Sequence, residues 1–295
     1  MHAPDFPHDA RWLSSPPLNM KDMRGKKIVL VDFWTYSCVN CIRTLPHLKK
    51  WHAAYAPLGF VIIGVHTPEF EFEKDISNVK RAIKESGIEY PVVIDSDYQI
   101  WSSYANSVWP RKFLINKEGH IVYDHAGEGG YGETEEQIQK ALLELSPEIK
   151  LPAITDDEIG SGGVCLPTTP ETYLGSMRGQ QGRVWRAIGE WKSYPEFIEY
   201  EKTTENFEGY ITLNFDANEV NLVMESRSER PAKLRIELDG KPLKDIEVKE
   251  PKMYNLIINM EHASMEHGTF PKRELKIFVK DQGFRAYAFT FGGCA

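Results

Sequence analysis

The sequence predicts an α/β unit with a mixed sheet and flanking helices, followed by an all-β sandwich of jelly-roll type. Three observations carry this prediction. Short, continuous apolar runs alternate with segments of helical period up to about residue 146. A stretch rich in Pro and Gly, without a sustained period, occupies 147–170. From 171 to 295 the apolar period becomes two, with turn residues between the runs. A chain of 295 residues, 41% of them hydrophobic, can fill two cores. The organisation read from it is a first domain over 1–146, a linker over 147–170 and a second domain over 171–295.

Residues 1–25 hold Pro4, Pro7, Pro16 and Pro17 and read as an irregular lead-in able to pack across the domain that follows. Ile28-Val29-Leu30-Val31 is the signature of a strand buried on both faces. Ile42, Leu45, Leu48, His52 and Tyr55 recur at helical spacing, and Phe60 to Val65 forms the next apolar strand. Ile76, Val79 and Ile83 mark a helix that Gly87 can cap. Pro91 to Ile94 gives a third strand. Arg111–Asn116 and His120–His125 flank Lys117-Glu118-Gly119 as a hairpin, and Thr134-x-x-Gln137 is read as the opening of a last helix carrying Ile138, Ala141, Leu142 and Leu145. Parallel units therefore come first and an antiparallel hairpin last. In the second half, Ile211/Leu213/Phe215, Val220/Leu222/Met224, Leu234/Ile236/Leu238 and Leu275/Ile277/Val279 alternate in period two. Asp239-Gly240, Glu266-His267-Gly268 and Asp281-Gln282-Gly283 supply turns.

A formal net charge of −8 supplies no basic excess for phosphates, which excludes nucleic acid as the main partner. No apolar run approaches the ~18 residues of a membrane span, and Met1 to Leu30 lacks the apolar core of a signal peptide. The chain is expected to be soluble as it stands, with any membrane attachment of the native protein lying outside it.

Four cysteines are few for a disulfide scaffold of this size, and Cys38 and Cys41 alone are close in sequence. The run Trp34-Thr35-Tyr36-Ser37-Cys38-Val39-Asn40-Cys41 lies where a buried strand meets a helix start. Peptide dipoles and unpaired N–H groups at a helix N-terminus stabilise a thiolate, so Cys38 is expected to attack and Cys41 to resolve. A zinc site needs a second ligand pair, whereas Cys165 and Cys294 are isolated; haem attachment needs His after the pair, where Ile42 stands. No cofactor is expected beyond a redox-active Cys38–Cys41 disulfide. Asp32, in an apolar strand, is expected to have a raised pKa and to serve as proton acceptor.

Val31-Asp32-Phe33-Trp34 before the cysteines, Pro46 five residues after Cys41, and Trp109-Pro110 before a strand together resemble the thioredoxin superfamily. The resemblance implies that Asp32 accepts the proton of Cys41 and that Pro110 is cis and faces the sulfurs. The long insertion through His66-Thr67-Pro68-Glu69-Phe70 is similar to the TlpA/ResA class. The match to the extracytoplasmic portion of DipZ proteins is closer, through Phe33-Trp34-Thr35-Tyr36-Ser37-Cys38-Val39-Asn40-Cys41-Ile42-Arg43-Thr44-Leu45-Pro46 over about 25–146. It extends more loosely through Thr169-Pro170-Glu171-Thr172-Tyr173-Leu174-Gly175 and the β-rich remainder. That resemblance implies an extracytoplasmic thiol–disulfide oxidoreductase, protein disulfides as substrates, a membrane electron donor of the DipZ/CcdA kind and reduction as the direction. Trp34, Trp109, His66 and Glu69 are the candidate substrate contacts, with His66 and Glu69 also candidates for proton relay.

Trp185, Trp191, Tyr194, Tyr200 and Tyr210 are concentrated early in the second half. They read either as core or as a sugar-stacking face like that of carbohydrate-binding modules. Cys165 and Cys294 are candidates for a structural disulfide. Two other functions compete: a peroxiredoxin-like thiol peroxidase, because Thr35 stands three residues before Cys38, and a glycan- or partner-binding protein with a secondary redox domain. The peroxidase family's proline is absent, since Val31 occupies its place.

Overall fold

The computed structural model describes residues 1–154, 166–179, 182, 184–258 and 269–293. The chain divides into two compact units, Met1–Glu158 and Ile159–Ala295. The stretch read as linker is shared between them. Ile149 and Leu151 pack on the first unit's core. Leu166 N donates to Gly293 O at 2.8 Å and Thr169 N to Asp216 O at 3.0 Å in the second.

In the first unit, β2 (Ile28–Trp34) lies inside a six-stranded mixed sheet. It runs parallel to β3 (Phe60–His66) and antiparallel to β5 (Arg111–Ile115). β4 (Val92–Ile94) continues the parallel side, and β6 (Ile121–Ala126) closes the hairpin with β5. Every residue of β2 is buried, Asp32 included, as the apolar run Ile28–Val31 that opens it predicts of a strand covered on both faces. The lead-in is more ordered than its prolines imply. Arg11–Leu13 forms β1, an edge strand antiparallel to β4, and Met20–Met23 forms the short helix α1. Three residues are too few to show a period, so β1 is defined by the partner it pairs with.

Helix α2 (Val39–Tyr55) starts directly after Cys38 and contains Pro46. Asp75 caps α3 (Ile76–Ser86) through its side chain, and Gly87, at φ 63°, ends it in the left-handed conformation that glycine adopts without strain. A short helix α4 (Gln99–Ser103) precedes the hairpin. The last helix, α5 (Tyr131–Leu145), begins three residues before Thr134. Thr134 donates its hydroxyl proton back to Gly130 O at 2.8 Å instead of capping a helix start. One face of the sheet packs Leu30, Leu114 and Ile62 with Leu45, Leu48, Trp51, Val79, Ile138 and Leu142 of the helices. The other packs Val29, Val31 and Phe33 with Met20, Met23, Ile100, Tyr104 and the lead-in residues Ala3 and Phe6.

The second unit is all-β, as its period of two predicts. One sheet runs β15 (Lys252–Ile257), β12 (Glu219–Ser226), β17 (Phe284–Gly292), β10 (Ile198–Tyr200), β9 (Trp191–Ser193), with β7 (Thr172–Tyr173) also on β17. The other runs β14 (Lys241–Val248), β13 (Ala232–Leu238), β16 (Arg273–Val279), β11 (Gly209–Phe215), β8 (Trp185–Ile188). The alternating residues Ile211, Leu213, Phe215, Val220, Leu222, Met224, Leu234, Ile236, Leu275, Ile277 and Val279 form one buried core between the sheets. Asp239 and Gly240, at φ 50° and 74°, make the β13–β14 turn. The turn expected at Glu266-His267-Gly268 lies outside the described residues. Trp185 and Tyr200 are each 1% exposed inside this core, which removes them from any sugar-stacking face. Trp191, half-buried, packs against the same core, and Tyr194 stacks on Phe197 with ring centroids 4.7 Å apart.

Candidate active site

The site forms where β2 leaves the sheet. Cys38 is the N-cap of α2, in extended conformation, and its Sγ accepts a hydrogen bond from Cys41 N at 3.2 Å. The sulfur thus takes the place of an N-cap oxygen and faces the positive end of the helix dipole. Both cysteines are free thiols, Cys38 half-buried and Cys41 buried. Burial, the hydrogen bond that the Cys41 thiol donates to Cys38 and the charges of Cys38 and Asp32 push the Cys41 thiol well above its usual range. The first cysteine is therefore accessible for attack, while the second needs a base.

Asp32, the expected proton acceptor, lies in β2, and its charge is felt at the Cys41 thiol. It is 1% exposed, and Oδ1 has no hydrogen-bond partner among the described residues. Burial raises its pKa to about 7, with the Lys112 charge opposing the rise. Lys112 stands directly across from Asp32 in the β2–β5 register and is itself fully buried. Its Nζ donates to Gly127 O at 3.3 Å. Burial lowers its pKa, against the pull of Asp32, Cys41 and Glu128. The other neighbour of Asp32 is Gly64, where a Cβ would lie 3.0 Å from Trp34 Nε1 and 3.2 Å from Tyr90 Cε2. A buried acid, a buried amine and the Trp34 and Tyr90 rings are therefore neighbours, and the charges of Asp32 and Lys112 both interact with Cys41. Sequence reasoning missed Lys112, because a lysine next to Arg111 at the start of a short strand reads as solvent-facing until its cross-strand partner is known.

The Trp109–Pro110 peptide is cis. Trp109 donates Nε1–H to Thr67 O at 3.1 Å, stacks obliquely on Trp101 with centroids 4.3 Å apart, and, like Cys38, packs against the first core. Two proposed substrate contacts are corrected. Trp34 and His66 are 1% and 0% exposed, because they are registered partners at the ends of two central strands, with ring centroids 5.2 Å apart. Burial lowers the His66 pKa to about 3, so its ring is neutral, and Nε2 lies 3.5 Å from Thr35 Oγ1.

Glu69 is half-buried, and its backbone N–H donates to Glu73 Oε2 at 2.6 Å. Glu73, which sequence reasoning also missed, is the acid brought to the redox loop. It lies in a short 3-10 turn, Glu71–Lys74, is 1% exposed and has its pKa raised by burial to about 7. Its signal in the sequence was weak: an acid between Phe70-x-Phe72 and an evident helix reads as a solvated turn residue. Cys165 and Cys294 lie outside the described residues.

Comparisons with known proteins agree with this geometry. The family described as Redoxin matches residues 2–142, and that described as Thioredoxin like C-terminal domain matches residues 179–292. The chain is 31% identical over 310 residues to Protein DipZ of Mycobacterium tuberculosis, which covers 98% of this chain and 43% of DipZ. The chain thus spans less than half the length of that relative. It is 30% identical over 136 residues to Thiol-disulfide oxidoreductase ResA of Halalkalibacterium halodurans, 46% of this chain and 72% of ResA. It is 25% identical over 141 residues to Thiol-disulfide oxidoreductase YkuV of Bacillus subtilis, 48% of this chain and 94% of YkuV. With a Cys-x-x-Cys pair at a helix start, a buried aspartate whose charge acts on the second cysteine and these relatives, the chain belongs to the thioredoxin-like thiol–disulfide oxidoreductases related to ResA and DipZ.

Proposed function

We propose that this chain reduces protein disulfides on the extracytoplasmic side of the membrane, drawing electrons from a membrane donor domain of the DipZ/CcdA kind. The observation that carries the chemistry is the asymmetry of the pair: a half-buried Cys38 at the α2 N-cap and a buried Cys41 that feels the charge of Asp32. The Cys38 thiolate attacks one sulfur of a substrate disulfide, forms a mixed disulfide and expels the other substrate sulfur as a thiolate. Asp32 then takes the proton of Cys41, whose thiolate attacks Cys38 Sγ. The second substrate thiolate leaves and Cys38–Cys41 becomes a disulfide. Two electrons pass to the substrate, and the membrane donor's dithiol restores them. Among the described residues no helix is long and apolar enough to cross a membrane, so donation would come from a segment or partner outside them.

A peroxidase needs a hydroxyl from Thr35 directed at the substrate. Here Thr35 Oγ1 donates to Glu73 Oε1 at 2.5 Å, which favours the reductase reading.

The test is trapping. Cys41→Ser should accumulate a thiol-reversible adduct through Cys38 with a disulfide-bonded substrate, and Cys38→Ser should accumulate none. An adduct forming on Cys41 at a comparable rate in Cys38→Ser, seen by mass spectrometry, would reverse the assigned roles. Failure of both variants to trap, with the wild type still reducing a model disulfide, would place the chemistry elsewhere.

A further inference from the structure

The loop between β2 and α2 must hold Cys38 at the first turn of the helix, and its side chains converge on one carboxylate. Glu73 Oε1 accepts from Thr35 Oγ1 at 2.5 Å, from Ser37 Oγ at 2.6 Å and from Ser37 N at 3.3 Å. Oε2 accepts from Glu69 N at 2.6 Å and Phe70 N at 3.0 Å. Five donors thus occupy a group with about four lone-pair directions, and no cation pairs with it among the described residues. An acid buried without a counter-ion is costly, and its neutral donors must offset that cost. The two oxygens also divide the work. One holds the loop that ends in Cys38, and the other holds the backbone of the β3–α3 insertion.

Resting on the redox reading above, we infer that Glu73 is a positioning residue for the exchange reaction. Its carboxylate ties Thr35 and Ser37 to the insertion and so keeps the Cys38 sulfur on the N-terminus of α2. The chemistry of the donors makes this testable by shape. A glutamine can turn its Oε1 to Glu69 N and Phe70 N and donate from its amide to the Thr35 and Ser37 hydroxyls, which accept as readily as they donate, losing only the long bond from Ser37 N at 3.3 Å. Alanine can do neither.

Two properties should be measured on the reduced full chain: the alkylation rate of Cys38 by iodoacetamide at fixed pH, and the Cys38–Cys41 equilibrium with glutathione. Glu73→Ala should slow alkylation by about tenfold, since a Cys38 sulfur moved off the α2 N-terminus loses the peptide dipoles and N–H groups that favour its thiolate. It should also move the glutathione equilibrium, which a purely structural loss would leave in place. Glu73→Gln should restore both to within about threefold of wild type.

A wild-type rate and equilibrium in Glu73→Ala would overturn the proposal. So would equal impairment of the alanine and glutamine variants, which would assign the effect to charge. If Glu73→Ala does not fold, Thr35→Val and Ser37→Ala should each slow alkylation, and unchanged rates in both would overturn it equally. Failure of the wild type to reduce any model disulfide would instead bring down the redox reading. The alkylation of Cys38 would still report on the tie.

Discussion

Replacing Asp32 by Asn should make the protein more stable at pH 8 while slowing its chemistry, and the size of the first effect follows from the site. The aspartate titrates at 3.8 in an unstructured reference and at about 7 in β2, where burial disfavours its charge more than Lys112 restores it. Below pH 3.8 both states are protonated and the residue imposes no pH-dependent penalty. Between about 4 and 7 the unfolded chain releases the proton and the folded one keeps it, so stability falls as pH rises. At about 1.4 kcal/mol per pH unit the loss reaches about 4 kcal/mol by pH 7 and is constant above it. Asn carries no charge and escapes this loss.

The assay is urea unfolding of the reduced full chain from pH 4 to 8.5, following the transition of the first unit for wild type and Asp32→Asn. Glu73 also titrates near 7 and contributes the same sign of slope to both proteins, so it drops out of their difference. That difference should be small at pH 4 and grow towards about 4 kcal/mol at pH 8, an upper value because the amide is buried too. A difference that stays flat across this range would mean that Asp32 titrates as an ordinary carboxylate. The role of proton acceptor for Cys41 would then be lost.

Other predictions concern separate features. Lys112→Met removes the charge that opposes the rise of the Asp32 pKa, so the pH midpoint for release of a mixed disulfide should move upward by about one unit or more; an unmoved midpoint would detach Lys112 from the reaction. Gly175→Ala would place a Cβ 2.2 Å from Glu196 C and 2.4 Å from Pro195 O, both backbone, and should cost the second unit about 3 kcal/mol or more in thermal or urea unfolding. Cys165 and Cys294 adjoin Leu166 and Gly293, which share a backbone hydrogen bond. Peptide mapping of the oxidised, unreduced protein should therefore recover them as one cross-linked pair, whose loop is worth about 4–5 kcal/mol in the chain-entropy account. Recovery of both as free thiols from oxidised protein would exclude the bond.

Local chemistry was legible in the sequence wherever one short segment carried it. The apolar run 28–31, the helical spacing after Cys41 and the period of two beyond 171 each follow from burial of one or both faces of a single element. The position of Cys38 was legible for the same reason, since strand, turn and helix start are contiguous. What tertiary structure alone decided are the relations between segments far apart in sequence. Lys112 is opposite Asp32 because an antiparallel register, set by the whole β5–β6 hairpin, places it there. Glu73 reaches Thr35 and Ser37 across 36 to 38 residues of chain, and Arg11–Leu13 becomes a strand because the edge of β4 is open to it. His66 and Trp34 read as candidate substrate contacts in the sequence because a terminal strand position is compatible with either burial or exposure. The packing of two neighbouring strand ends decided for burial. Periodicity reports which face of an element meets a core, whereas the pKa of a buried acid depends on the charges that the fold brings across from other strands.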